Sequence, residues 1–302
     1  MTAILALGEA LIEFVRLPQP VDGHPTYRQG FGGDTSNTII AAARQGATTG
    51  YLSAVGEDSF GKELLELWSR EGVDTSTVIT RERDPTGVYF VEPHASGRNF
   101  TYARRGSAAS GYGPDDLPLD AIRKAEVLHV SALSQAISTT MCAAVERACE
   151  VAREAGTMVS FDTNLRLNLW SLADAREAIF GLLPLADIVL PSDDEAELLL
   201  GTSDQDAVLN RFAAHGARHV ILKRGSRGPV LRANGEDMAF EAPSVEAVDS
   251  TGAGDSFAGA FLTYFLETKD ARLAVERAVK VAARTVSGYG AVDPLPYRAD
   301  IL

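Results

Sequence analysis

The 302-residue chain reads as an α/β protein with a mostly parallel central sheet flanked by helices and a few strands set apart from it. Three observations carry this. From about residue 120, short apolar runs alternate with longer helix-like segments, the pattern of strands joined by crossover helices. The run Ala3-Ile4-Leu5-Ala6-Leu7 stops at Gly8-Glu9, as a short buried strand does. Two further runs, Gly87-Val88-Tyr89-Phe90-Val91 and Arg98-Asn99-Phe100-Thr101-Tyr102, stand outside that rhythm, and His94-Ala95-Ser96-Gly97 between them suits a hairpin.

Taken in order, Leu11 to Val15 partly alternates and Tyr27 to Phe31 offers another short strand. Thr35 to Gln45 is small and apolar and ends at Gly46, the pattern of a helix. Gly50 to Val55 reads as one strand, and Ser59 to Glu71 as an amphipathic helix stopped by Gly72. Val127 to Val130, Met158 to Phe161, Ile188 to Leu190 and His219 to Leu222 are strands of the later rhythm. Thr139 to Ala155 is a helix, and another ends near Gly216. Ser256 to Leu266 reads as a buried helix, and Gly288-Tyr289-Gly290 breaks the last long one. No repeat, low-complexity run or linker divides the chain. Residues 1–302 are therefore expected to form a single domain, with a β lid from about 10–32 and 85–105.

Composition is that of a soluble protein with a large core: 45% hydrophobic and 23% charged. The formal net charge of −13 repels nucleic acid and anionic membrane surfaces, so a polyanion partner is not expected. An acidic protein that handles phosphate must gather positive charge locally, which directs attention to arginines near loops. Cys142 and Cys149 lie seven apart on a predicted helix. That spacing is about 10 Å along the axis, beyond the roughly 7 Å that a disulfide spans. They read as free thiols of a reducing cytosol. The apolar start has no basic leader, and no apolar run reaches the length of a membrane span.

The densest chemistry is in Asp249-Ser250-Thr251-Gly252-Ala253-Gly254-Asp255-Ser256. Small residues at Gly252, Ala253 and Gly254 open a helix whose N-terminus offers unpaired N–H groups and a positive dipole end, a ready anion site. Asp255 inside that site competes with an anion unless it has chemical work, such as taking a proton from a hydroxyl while the helix end holds a phosphoryl group. On local chemistry alone, a helix cap with an acidic first turn explains the same residues.

Other polar groups follow predicted strands, where open parallel sheets bind ligands. Gly32-Gly33-Asp34-Thr35-Ser36-Asn37 lets the backbone approach a ligand while Asp34 and Asn37 bond hydroxyls; a turn with a cap is the plain alternative. Tyr89 and Tyr102 lie on the two expected hairpin strands and could present rings and hydroxyls to one ligand, with Arg104 and Arg105 beyond; a half-buried aromatic strand pair with solvated arginines is the plain alternative. In Asp162-Thr163-Asn164-Leu165-Arg166, the arginine can grip a carboxylate with two parallel hydrogen bonds. Ser192-Asp193-Asp194-Glu195 and Lys223-Arg224-Gly225-Ser226-Arg227-Gly228 follow two further strands. His215 and His219 are four apart, but Gly216 parts a helix from a strand there, so no zinc site is expected. The chain lacks the P-loop pattern and lacks a dinucleotide fingerprint after its first strand.

The stretch around Gly252 to Asp255 resembles the signature of the ribokinase-like (PfkB) family of sugar kinases. Gly32 to Asn37, continuing through Gly46 and Gly56, resembles its first signature, and Val55 to Gly61 is also similar. Two positions depart from the family pattern: Ile39 stands where a small residue is usual, and Ser192 where Asn is frequent. The run Tyr102 to Ala109, and Asp162 to Arg166 with Leu169-Trp170, resemble the 2-keto-3-deoxygluconate kinase branch.

The resemblance implies a ribokinase-like fold over nearly the whole chain. It implies ATP-dependent phosphorylation of 2-dehydro-3-deoxy-D-gluconate at its terminal hydroxyl, giving 2-dehydro-3-deoxy-6-phosphogluconate and ADP for an Entner–Doudoroff-type or uronate-degrading route. In that reading Asp255 is the base and the backbone of Gly252, Ala253 and Gly254 the anion hole. Gly33, Asp34, Asn37, Tyr89, Tyr102, Arg104 and Arg166 hold the sugar acid. Lys223, Gly225, Ser226 and Gly228, with the anion hole, hold ATP, and Glu195 positions Mg2+ through water. Two arginines argue for an anionic substrate. A cytoplasmic homo-oligomer paired through lid strands is expected. The alternatives are a neutral-sugar kinase of the same family, such as a fructokinase, and a non-catalytic sugar-binding protein.

Overall fold

The computed structural model describes residues 2–94 and 97–301. Its strands are β1 (Ile4–Leu7), β2 (Ala10–Arg16), β3 (Tyr27–Gly33), β4 (Thr49–Leu52), β5 (Ala54–Gly56), β6 (Val73–Asp74), β7 (Ile79–Arg81), β8 (Val88–His94) and β9 (Gly97–Ala103). They continue with β10 (Val127–Ser131), β11 (Met158–Asp162), β12 (Ile188–Leu190), β13 (His219–Leu222), β14 (Val230–Ala233) and β15 (Glu236–Ala239). The main sheet runs β15-β14-β13-β12-β11-β10-β1-β4-β6. From β6 to β13 all neighbours are parallel, and β14 and β15 close one edge antiparallel.

Side chains alternate across a strand, so each short apolar run feeds two cores. Leu5 and Leu7 enter a core covered by the helices Thr139–Ala155 and Leu172–Leu182. Ile4 and Ala6 enter the other, under Thr35–Arg44, Ala253–Thr268 and Ala271–Thr285. Both faces are therefore dry, and polar groups appear where the parallel strands end. Ile39 sits fully buried in the second core.

A second sheet, β3-β2-β8-β9, is built from the strands expected to form the lid. Phe14, Phe31 and Val88 pack toward the second core. The opposite face carries Leu11, Tyr89 and Val91 as a small cluster of their own. Residues Ala95 and Ser96 of the expected hairpin link lie outside the described residues.

The structure overturns one expectation and adds detail to the rest. Gly50 to Val55 is not one strand. It breaks at Ser53 into β4 and β5, which lie in different sheets, because Ser53 Oγ donates to the Gly8 carbonyl at 2.7 Å and its own carbonyl accepts from Ile79 N–H at 3.0 Å. The last long helix ends at Thr285, ahead of Gly288. The short strands β6, β7, β14 and β15, and the helices Leu119–Lys124, Ala132–Ile137, Leu172–Leu182 and Asp193–Leu200, were not assigned from the sequence.

After Thr285 the chain returns across the second core. Arg44 binds both oxygens of Glu71 at 2.8 Å and donates to the carbonyls of Val292 at 3.0 Å and Leu295 at 2.6 Å. Gln45 Nε2 donates to the Pro296 carbonyl at 2.8 Å. No helix among the described residues is long and apolar enough to cross a membrane.

Candidate active site

The helix Ala253–Thr268 is buried from Ser256 to Phe265, whereas Thr251 to Asp255 at its start stay partly open. Gly252 caps it with φ +75, a left-handed conformation that favours glycine, and a Cβ there would stand 2.8 Å from the Ala291 carbonyl oxygen. The Ala253 N–H is taken by the Ser250 carbonyl at 3.2 Å, which turns attention to the N–H groups of Gly254 and Asp255 as anion donors. Asp249 braces this end: its carboxylate accepts from the Thr251 N–H at 3.0 Å and from the Gly290 N–H at 3.0 Å.

Asp255 is brought to the start of the Thr35–Arg44 helix. Asn37 Nδ2 donates to Asp255 Oδ2 at 2.8 Å and to the Gly33 carbonyl at 2.9 Å. Asp34 is buried and accepts from the Ser131 and Ser134 hydroxyls through the same oxygen. The sequence suggested that Asp34 and Asn37 would bond hydroxyls; here both hold protein partners. Recession of the Asp255 carboxyl among protein atoms pushes its pKa up to about 7, with the nearby charges of Asp34 and Asp162 adding to the rise and the Asn37 hydrogen bond and Lys223 opposing it. Burial pushes Asp34 up to about 7 as well, against the hydrogen bonds from Ser131 and Ser134.

A base works only as the carboxylate, so Asp255 in that role would lose activity on the acid side. We expect kcat/KM to fall below about pH 7, approaching tenfold per pH unit. A profile that stays flat down to about pH 5 would remove Asp255 from that role.

Behind this helix end, Lys223 Nζ donates to Asp162 Oδ1 at 2.9 Å and Oδ2 at 2.7 Å. Glu195, 8% exposed, accepts from the Thr163 hydroxyl at 2.6 Å, the Leu165 N–H at 3.0 Å and the Ser192 N–H at 3.2 Å. A carboxylate so fully engaged suits an ion held through water rather than direct ligation. Gly225 and Ser226 lie exposed in a short turn, and space beside Gly225 is open. Gly228 is buried, and a Cβ there would lie 1.9 Å from the Phe240 carbonyl oxygen, so its small size serves the chain's own packing.

At the other end, Tyr89 and Tyr102 stack with ring centroids 5.6 Å apart. The Tyr89 hydroxyl donates to Glu13 at 2.5 Å and lies over Gly32, where a Cβ would stand 2.1 Å from it. The Arg104 guanidinium sits 5.5 Å from the Tyr102 ring centroid and touches the carboxylate of Glu9. Arg104 and Glu9 are both buried, and Arg104 Nε and Nη2 and Glu9 Oε2 lack an aligned hydrogen bond. Burial pushes Glu9 up to about 7 despite Arg104. Nη2 is thus spent on Glu9, and Nε of this buried guanidinium has no partner. Arg166 is half exposed, donates to its neighbour Leu165's carbonyl at 2.9 Å and stands 3.8 Å from Glu195.

The structure sets Gly252 to Asp255, Asn37, Arg104 and Glu195 at or next to strand and helix ends, while sequence reasoning passed over other polar groups there. It did not identify Glu9 or Glu13, nor the link between Asp162 and Lys223. The only available signal was position, since Glu9 and Asp162 each stand where a parallel strand ends.

This arrangement sets a carboxylate beside the partly open end of a helix, with a guanidinium near two stacked tyrosines. The pfkB family carbohydrate kinase profile matches residues 1–298. The chain belongs to the pfkB family of carbohydrate kinases. This pfkB kinase has the ribokinase-like fold: a crystal structure of a putative ribokinase II from E. coli, in complex with ATP and Mg2+, superposes with a TM-score of 0.91 at 28% identity, covering 100% of this chain and 98% of that one. Among curated relatives, a 2-dehydro-3-deoxygluconokinase of Thermoproteus tenax is 34% identical, with 98% of this chain and 92% of the relative covered. Fructokinase-1 of Zea mays is 33% identical, with 99% and 96% covered. The chain is thus similar over nearly its whole length to kinases named for an acid sugar and for a neutral one.

Proposed function

We propose that this sugar kinase phosphorylates 2-dehydro-3-deoxy-D-gluconate on its terminal hydroxyl. The observation that supports the choice of an acid over a neutral sugar is Arg104, a buried guanidinium held between Glu9 and the Tyr102 ring with its Nε unpartnered. Arg166, near the end of β11, supplies a second cation on the same side; the charges of both arginines act on Tyr102. A neutral hexose would leave these charges facing hydroxyls.

In this reading the tyrosines and arginines orient the acid end of the sugar, and the terminal hydroxyl reaches Asp255. Asn37 fixes the Asp255 carboxyl so that its free oxygen faces that hydroxyl and takes the proton as the oxygen attacks. The N–H groups of Gly254 and Asp255 stabilise the charge that develops. Mg·ATP supplies the phosphoryl group when bound; Gly225, Ser226, Lys223 and the helix end would hold its phosphates, with Glu195 positioning Mg2+ through water.

The test is ADP release with Mg·ATP and 2-dehydro-3-deoxygluconate, fructose, ribose or no sugar. Turnover restricted to the acid is expected; a preference for fructose would transfer the reading to a neutral-sugar kinase. Replacing Arg166 with Ala is expected to raise the KM for the acid by one to two orders of magnitude, about 1.4–2.8 kcal/mol, with kcat less affected. An unchanged KM would remove Arg166 from the carboxylate grip.

A further inference from the structure

Lys223 begins the expected nucleotide loop, yet its side chain leaves that loop. Its ammonium donates to both oxygens of Asp162, and Nζ lies 3.4 Å from where a Cβ on Gly254 would stand. Gly254 is in the first turn of the Ala253–Thr268 helix, beside Asp255. The cation is therefore lodged against the anion-binding end rather than out among Gly225 and Ser226.

As a contribution to stability this is a poor use of a lysine, because taking both charges out of water costs as much as their attraction returns. Desolvation lowers the pKa of this largely covered lysine, but the charges of Asp162, Glu195 and Asp255 outweigh it and hold Lys223 protonated. An ammonium carries three N–H donors, and Asp162 takes two. Asp162 is itself anchored, since its Oδ1 also accepts from the Asn164 N–H at 3.1 Å. The pair is thus a fixed mount that aims one charged donor at the helix end.

We propose that Lys223 is a catalytic cation: tethered by Asp162, it binds the transferring phosphoryl group at the helix end and neutralises the charge that builds there. This rests on the reading of Asp255 as the base of a sugar kinase. The sugar oxygen bonds to phosphorus as the bond from phosphorus to the bridging oxygen of the leaving ADP breaks. The hydroxyl proton passes to Asp255, the leaving oxygen keeps the bonding electron pair, and Lys223 retains all its protons.

The rival role, a mere counter-ion for Asp162, is separated by a pair of variants. Lys223→Met leaves Asp162 unpaired near Asp34 and Asp255. The double variant Asp162→Asn, Lys223→Met removes both charges, and Asn keeps the oxygen that accepts from Asn164. Each is titrated calorimetrically with Mg·ADP and with the Mg complex of the β,γ-imido analogue of ATP, without sugar, after a thermal melt confirms folding. Both variants are expected to lose at least roughly tenfold in affinity for the ATP analogue while ADP binding changes less than about threefold, and to lose roughly a hundredfold or more in kcat.

Recovery of analogue affinity and kcat in the double variant would overturn the proposal, as would equal losses for ADP and the analogue. If Lys223→Met alone does not fold, the double variant decides. If the wild-type protein phosphorylates no sugar, the functional reading fails, whereas the two nucleotide titrations still judge the place of Lys223.

Discussion

Replacing Asp255 with Asn is expected to lower kcat by about three to four orders of magnitude while sugar affinity stays within about threefold. Asn is nearly the same size and keeps an oxygen able to accept from Asn37 Nδ2, whose present bond to Asp255 is 2.8 Å long. It cannot take a proton, so the variant separates proton transfer from binding. Asp255 is flanked by Asp34 and Asp162, both of which raise its pKa, and loss of its charge relieves that repulsion. The variant should therefore fold at least as well as the parent, and lost turnover cannot be ascribed to unfolding. The check is kcat by coupled ADP release together with sugar affinity by calorimetry. Near-normal turnover would take the base away from Asp255, and a collapse of sugar binding would make it a ligand instead.

The second large effect is structural. Replacing Gly259 with Val is expected to lower unfolding free energy by about 3 kcal/mol or more. Gly259 lies where the Ala253–Thr268 helix crosses Thr35–Arg44, and a Cβ there would stand 2.3 Å from the Thr38 carbonyl oxygen and 2.8 Å from the Ala42 nitrogen. These are backbone atoms, so relief requires the helices to part. One helix carries Asn37 and the other Asp255, so parting them also breaks the hydrogen bond that aims the base. Urea unfolding of the ligand-free protein measures the first consequence and kcat the second. Unchanged values for both would mean that the crossing is looser than described.

Much of the fold was legible because a buried parallel strand is a short apolar run with a sharp polar end. Val127 to Ser131 and Met158 to Asp162 show this plainly. The break between β4 and β5 was not legible, since Gly50 to Val55 is uniformly compatible with one strand and only the distant Gly8 carbonyl bends it at Ser53. β15 is polar, with Glu236 and Asp237 exposed, so it carries no apolar signal. At the site, residues on one local motif were readable: Gly252 to Asp255 share a single turn. Pairings across the sheet were not. Asp162 and Lys223 are 61 residues apart, and Glu9 reaches Arg104 through folding alone. Charge attracted attention to Arg104 as a ligand for substrate, but nothing in the sequence indicated that a buried carboxylate already faces it.

The returning segment after Thr285 bears on how the protein is made. The Ala291 carbonyl lies against Gly252, and the Gly290 N–H holds Asp249. Chains emerge from the ribosome amino end first. The first strand and much of the parallel sheet can therefore assemble while synthesis continues, but the wall beside Gly252 is delivered only after all the parallel strands. A nascent chain stopped before residue 290 would retain most of both cores and lack the brace of its phosphate-binding end.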